Sequence, residues 1–301
     1  MVKPLSTDRR PNLLVESLGV TLAGEDTGGM SDSDASSPSS SPDASIPLVL
    51  LHGLTATRRY VVHGSRTLER SGYRVVSYDA RGHGESSPAP VPEAYDYGAM
   101  TSDLEQLLDD LEVERAVLAG ASMGAATTMA FTLSKPERVA ALVQITPAYV
   151  GGAEADPARL AYYDGLADGL ERDGVDGFMR AFGEPESIAP RFRSIVLEAV
   201  RQRIARHRHP EAVAQAMRVV PRSSPFDGLD ELEWVRAPTL VVASHDEADP
   251  DHPYTVAQAY AERIPDAELV SEEPGQSPLA WRGTRLSRAI AEFLERHGLA
   301  P

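Results

Sequence analysis

Cysteine is missing altogether from this 301-residue chain, which excludes disulfides, thiol nucleophiles and cysteine-ligated metal sites. Lysine is nearly missing too, present only at Lys3 and Lys135, and the formal charge is −16. A surface so acidic repels nucleic acid and acidic membranes, so neither is an expected partner. No run approaches the roughly 20 apolar residues of a membrane span. The opening MVKPLSTDRRPNLL also lacks the apolar stretch of a signal peptide. These shortages together predict a cytoplasmic protein. What is present, 42 % hydrophobic and 25 % charged residues, suits one large α/β domain with an insertion, or two modest domains.

The most informative stretch is RAVLAGASMGAATTMAF, from Arg115 to Phe131. Ala116 to Ala119 is a short apolar run of the kind that forms a buried strand. Gly120-Ala121-Ser122-Met123-Gly124 follows, and then small and apolar residues that read as a tightly packed helix. G-x-S-x-G between a strand and a helix has a mechanical meaning. Only small residues fit around so sharp a turn, which lifts the Ser122 hydroxyl above the sheet at a helix N-terminus, where backbone N–H groups favour developing negative charge.

The rest of the chain can be placed around that serine. Residues 12–24 alternate enough for a strand or hairpin at a sheet edge, giving N-terminal edge strands over 1–27. Residues 28–45 are a Ser/Asp/Pro-rich run that buries nothing and is expected to be a disordered loop. From Ile46, strand and helix alternate as far as about Thr146, with strands at Pro47–Leu51, Tyr73–Tyr78 and Val139–Ile145 and an amphipathic helix over 98–111. Such alternation predicts a parallel sheet with sites at the carboxyl ends of its strands. Between 151 and 233 the pattern is helical only (158–172, 174–182, 191–207, 210–219), which reads as a cap inserted between core strands. Residues 234–301 return to the core, with strands near Pro238–Ala243 and Ala267–Ser271 and a closing helix at Arg285–Arg296.

Four segments in this order, LVLLHGLT, SYDARGHGES, GASMG and PTLVVASHDEADP, resemble the α/β-hydrolase fold family over about Ile46 to Leu299. The resemblance implies a mostly parallel central sheet flanked by helices, with a helical cap and no cofactor or metal. It puts the nucleophile at Ser122 and the oxyanion-hole donors at the backbone N–H groups of Leu54 and Met123. The Asp79–Ser86 segment matches the family's D-x-R-G-x-G-x-S pattern. That segment reads as a glycine-rich turn held by Asp79 and Arg81, with His83 as scaffold. Register from the strand end makes Asp246 the supporting acid, with Glu247 and Asp249 as alternatives.

The base breaks the pattern. The family's histidine is expected in a turn after the last strand, and this chain has Glu273-Pro274-Gly275-Gln276-Ser277-Pro278 there. Gln276 lies thirty residues beyond Asp246, so spacing and turn agree while the residue does not. A glutamine amide cannot take a serine's proton near neutral pH. Of the other histidines, His245 and His252 flank the acid loop, His52 and His63 lie near the oxyanion strand, and His207 and His209 are in the cap. Each reads first as a surface or scaffold residue, with His252 leading as a relocated base. His297 reads as a favourable charge near a helix C-terminus.

Tyr162, Tyr163, Leu166, Phe178, Met179, Phe182, Phe192 and Met217 either wall an apolar pocket above Ser122 or simply dock the cap. The expected activity is hydrolysis of an uncharged ester or related small acyl substrate. The rivals are a non-hydrolytic binding protein that keeps the pocket, and a lyase- or cyclase-type reaction in it.

Overall fold

The computed structural model describes residues 10–28, 46–151, 156–184, 186, 188–245, 251–273 and 283–301. The alternating N-terminal segment forms a hairpin, β1 (Leu13–Ser17) and β2 (Val20–Asp26). Its two loop residues, Leu18 and Gly19, have φ of 47° and 77°, the signs of the type I′ turn that matches strand twist. The apolar runs form β3 (Leu48–Leu51), β4 (Val75–Tyr78), β5 (Ala116–Ala121), β6 (Val139–Ile145), β7 (Thr239–Val242) and β8 (Ala267–Val270). The sheet order is β1-β2-β4-β3-β5-β6-β7-β8. The hairpin pairs antiparallel, and β4 to β8 with β3 are all parallel.

Helices cover both faces: α1 (Thr67–Arg70), α2 (Tyr97–Asp110), α3 (Met123–Ser134), α7 (Tyr254–Arg263) and α8 (Gly283–Arg296). Alternate residues of each strand serve opposite cores, as the two-residue period requires. Val49, Leu51 and Leu118 pack with Leu104 and Leu108 of α2. Leu48, Leu50 and Val117 pack with Ile290 and Phe293 of α8. The amphipathic pattern of α2 therefore reports a helix with one buried stripe.

Between β6 and β7 the described residues are helical: α4 (Pro157–Phe182), α5 (Pro190–Ile204) and α6 (Pro210–Val219), with shorter 3-10 turns after them. The break expected near 173 is real, with Asp173 and Gly174 non-helical inside α4. Leu166, Phe178, Ile204, Val213 and Met217 are buried against one another, so most of the aromatic and aliphatic residues noted above hold the insertion together. Leu54 packs against this cluster and also against the one containing Met123 and Ala216. The insertion thus sits on the two residues expected to supply oxyanion donors. No helix among the described residues is long and apolar enough to cross a membrane.

Chain direction reverses at β3 and β5, since β3 leads outward to β4 and β5 leads the other way to β6. Ligands of such sheets bind at this crevice, beyond the strands' carboxyl ends. The loops after β3 and β5 carry Leu54 and Ser122.

Candidate active site

Ser122 occupies the turn between β5 and α3 with φ 52° and ψ −109°. For a residue other than glycine this backbone costs about 1–3 kcal/mol and persists only where its surroundings hold it. They do: the Ser122 N–H donates to the Ile145 carbonyl at 3.1 Å, and its own carbonyl accepts from Ala126 at 3.0 Å. The flanking glycines are required by close approach. A Cβ on Gly120 would stand 2.2 Å from the Gly124 oxygen, and one on Gly124 would stand 2.2 Å from the Leu51 oxygen. That contact presses the start of α3 against the end of β3, which brings the β3 loop beside the nucleophile. A Cβ on Gly53 would lie 3.3 Å from that of Ser122.

Residues Gly53-Leu54-Thr55-Ala56 form a turn closed by Ala56 N–H to the Gly53 carbonyl at 3.0 Å. Thr55 has φ 67° while Leu54 is not left-handed, the signature of a type II turn with a β-branched residue where glycine is preferred. The Leu54 N–H, at the turn's first corner, belongs to the same peptide group as the Gly53 carbonyl. Met123 begins α3, and the first N–H groups of a helix have no intrahelical acceptor. Leu54 and Met123 share one packed cluster.

Two buried histidines bond to this turn. The Ala80 N–H donates to His52 Nε2 at 2.9 Å. The His52 proton is therefore on Nδ1, which donates to the Gly53 carbonyl at 2.8 Å. The Gly84 N–H donates to His207 Nδ1 at 2.9 Å, leaving the proton on Nε2 to donate to the Thr55 carbonyl at 2.9 Å. His83 lies between them, its ring 5.2 Å from His52 and 5.6 Å from His207. Its Nδ1 donates to the Arg81 carbonyl at 2.9 Å, and its Nε2 is buried without a partner among the described residues. Burial holds all three neutral, lowering His52 to about 4 and His83 and His207 to about 3.

The segment after β4 is scaffold, as its composition predicts. Asp79 accepts from the Arg58 N–H at 2.7 Å and the Glu85 N–H at 3.0 Å, and pairs with the Arg58 guanidinium. Arg81, fully buried, makes a two-pronged bond to Asp103 at 2.6 and 2.7 Å. Planar guanidinium against carboxylate in this form is rigid as well as strong.

The remaining contact involves the histidine that leads the alternatives for a relocated base. His252, just before α7, has Nε2 2.8 Å from the Ser122 Oγ. Its first reading as a surface or scaffold histidine gives way to direct contact with the serine. β7 pairs with β6 and β6 with β5, so the chain leaving the carboxyl end of β7 starts two strands from the elbow. The signal available was position alone. His245 instead stacks on Tyr254, centroids 3.8 Å apart. His209 lies 3.4 Å from Glu211, and His297 3.2 Å from Glu268 near the end of α8. His63 is exposed. Asp246, Glu247, Asp249 and Gln276 lie outside the described residues, as do most of 28–45.

Sequence reasoning passed over Glu272, just beyond β8. It is 2 % exposed, accepting from the Ser244 hydroxyl at 2.8 Å and the His245 N–H at 2.6 Å. It thereby fixes the root of the loop that carries His252.

The model of the α/β hydrolase fold matches residues 46–281. The chain belongs to the α/β-hydrolase fold family. Among curated relatives, a putative carbamate hydrolase RutD of Rhizobium rhizogenes is 29 % identical over 239 residues, 78 % of this chain and 86 % of that one. An sn-1-specific diacylglycerol lipase ABHD11 of Danio rerio is 41 % identical over 102 residues, but the match spans only 34 % of this chain and 31 % of the lipase. Among solved structures, a thermophilic esterase from Thermogutta terrifontis superposes with a TM-score of 0.72 at 26 % identity, covering 96 % of this chain and 99 % of the esterase. The sheet and flanking helices described above are those of this family, and the chain is an α/β-hydrolase enzyme.

Proposed function

We propose that the protein hydrolyses an uncharged, largely apolar ester or related small acyl substrate through Ser122, with His252 as the base in place of the histidine missing at 276. The observation that carries this reading is the 2.8 Å contact between His252 Nε2 and Ser122 Oγ, within the reach a general base needs.

The chemistry then runs as follows. Ser122 Oγ attacks the acyl carbon while its proton passes to His252 Nε2. Negative charge gathers on the former carbonyl oxygen, where the N–H groups of Leu54 and Met123 receive it. Donors fixed in place at that position are worth about 3–4 kcal/mol each. The imidazolium returns its proton to the leaving alkoxide, and the bond to the alcohol breaks. Water then attacks the acyl-enzyme, with His252 again accepting a proton, and the acid and free serine are released. An acid of the loop after β7, Asp246 by register or else Glu247 or Asp249, would stabilise the imidazolium. A net charge of −16 disfavours an anionic substrate. The Rhizobium rhizogenes carbamate hydrolase and the Thermogutta terrifontis esterase are consistent with such acyl chemistry.

Turnover of a short-chain p-nitrophenyl ester tests the reading. His252→Ala is expected to lower kcat/KM by about three orders of magnitude or more, as removal of a catalytic histidine does. Wild-type rates in a folded His252→Ala variant would refute the assignment of the base.

A further inference from the structure

We infer that His207, carried by the helical insertion, is a positioning residue for the oxyanion turn, so that docking of the insertion completes the catalytic site. This rests on the ester-hydrolase reading above and deepens it.

His207 lies between α5 and α6, outside the sheet domain that provides Ser122 and His252, yet its ring is buried among core loops. Both ring nitrogens are committed to core backbone. A backbone N–H can only donate, so Gly84 forces Nδ1 to accept and leaves Nε2–H for the Thr55 carbonyl. Thr55 is the corner of the oxyanion turn, held at φ 67°. Left to itself, a threonine there would relax towards negative φ and rotate the turn's peptide groups. Two further bonds converge on the same turn, from His52 Nδ1–H and Ala56 N–H to the Gly53 carbonyl. These fix the Gly53–Leu54 peptide from the core side. His207 is the clamp on the other side, and it comes from the insertion. The Leu54 side chain, packed against the insertion's apolar cluster, reinforces the same coupling.

Positioning of the oxyanion turn makes a specific demand on kinetics. A thionoester places a large sulfur, a poor hydrogen-bond acceptor, where the oxyanion forms. An intact oxyanion hole therefore turns over an oxoester far faster than the matching thionoester. The experiment is to measure kcat and KM for such a pair with the wild-type protein, His207→Ala, His207→Gln and Thr55→Gly/His207→Ala. His207→Ala is expected to lower oxoester kcat about 10- to 100-fold, the range a misplacement of about 1 Å can cost. KM should change less than about 3-fold, and the oxoester-to-thionoester ratio should fall. Glutamine, which keeps a donor for the Thr55 carbonyl, is expected to restore part of both kcat and the ratio. Glycine at 55 removes the strain that His207 restrains, so His207→Ala should cost several-fold less in that background.

A folded His207→Ala with an unchanged ratio overturns the inference, whatever its stability, because a merely structural histidine would slow both substrates alike. If the alanine variant does not fold, His207→Gln decides in the same way, a ratio identical to wild type at reduced kcat overturning it. A wild-type protein that hydrolyses neither ester removes the function reading and this inference with it. Wild-type turnover with an unmoved ratio removes this inference alone.

Discussion

At the scale of single residues, Ser122 is legible in the sequence because its geometry depends on neighbours that are also neighbours in the chain. Gly120 and Gly124 leave no room for a Cβ, and that constraint writes itself as G-x-S-x-G. His252 is not legible in the same way. Its contact with Ser122 spans 130 residues, and nothing local marks a histidine six positions past Asp246 as a base rather than a surface group. His207 was hidden for the same reason, its two partners being backbone groups 123 and 152 residues away. If His252 serves the serine, position 276 has no base to regain. Gln276→His is therefore expected to change ester kcat/KM by less than about 3-fold, read by steady-state kinetics. A rise of several orders of magnitude would instead mark a site still waiting for its histidine after β8, as glutamine cannot act as base near neutral pH.

At the scale of elements, nearly every strand and helix was readable, because period-2 and period-3.6 patterns reflect burial on one side or two. The break inside α4 was readable from Gly174. The role of the segment after β4 was also legible, yet its partners were not. Arg81 finds Asp103 on α2 and Arg58 finds Asp79 from the loop after β3, pairings that only the assembled layers create. Both partners of the Arg81–Asp103 pair are essentially inaccessible to water. Arg81→Met should leave Asp103 buried and uncompensated, destabilising the fold by about 3–5 kcal/mol. Denaturant unfolding measures this. A loss below about 1 kcal/mol would show that the pair is not the lock between α2 and the β4 loop.

At the scale of the whole molecule, the three buried histidines link stability to pH. Their folded values, about 4 for His52 and about 3 for His83 and His207, lie below the ordinary value of about 6.5. Burial is the main cause, and the rings face one another as well as Arg58 and Arg203. Between roughly pH 4 and 6.5 the unfolded chain therefore binds protons that the native state refuses. Stability is complete above the unfolded value and declines as pH falls through this window, by up to about 1.4 kcal/mol per pH unit for each histidine. Denaturation midpoints measured from pH 7 to 4.5 should fall accordingly, and His207→Gln should reduce the slope. An unchanged slope would show that His207 is not held neutral by the fold. The acidic composition says little about the fold and bears instead on partners, disfavouring anionic ones.

The most direct measurement is intact-mass labelling with a fluorophosphonate, comparing wild type with Ser122→Ala and His252→Ala. The account predicts one adduct on wild type, none on Ser122→Ala, and labelling slowed by about 100-fold or more in His252→Ala, since the serine is then left without its base. Wild-type protein that is folded and unlabelled, or His252→Ala that labels as fast as wild type, would contradict the pairing of Ser122 with His252.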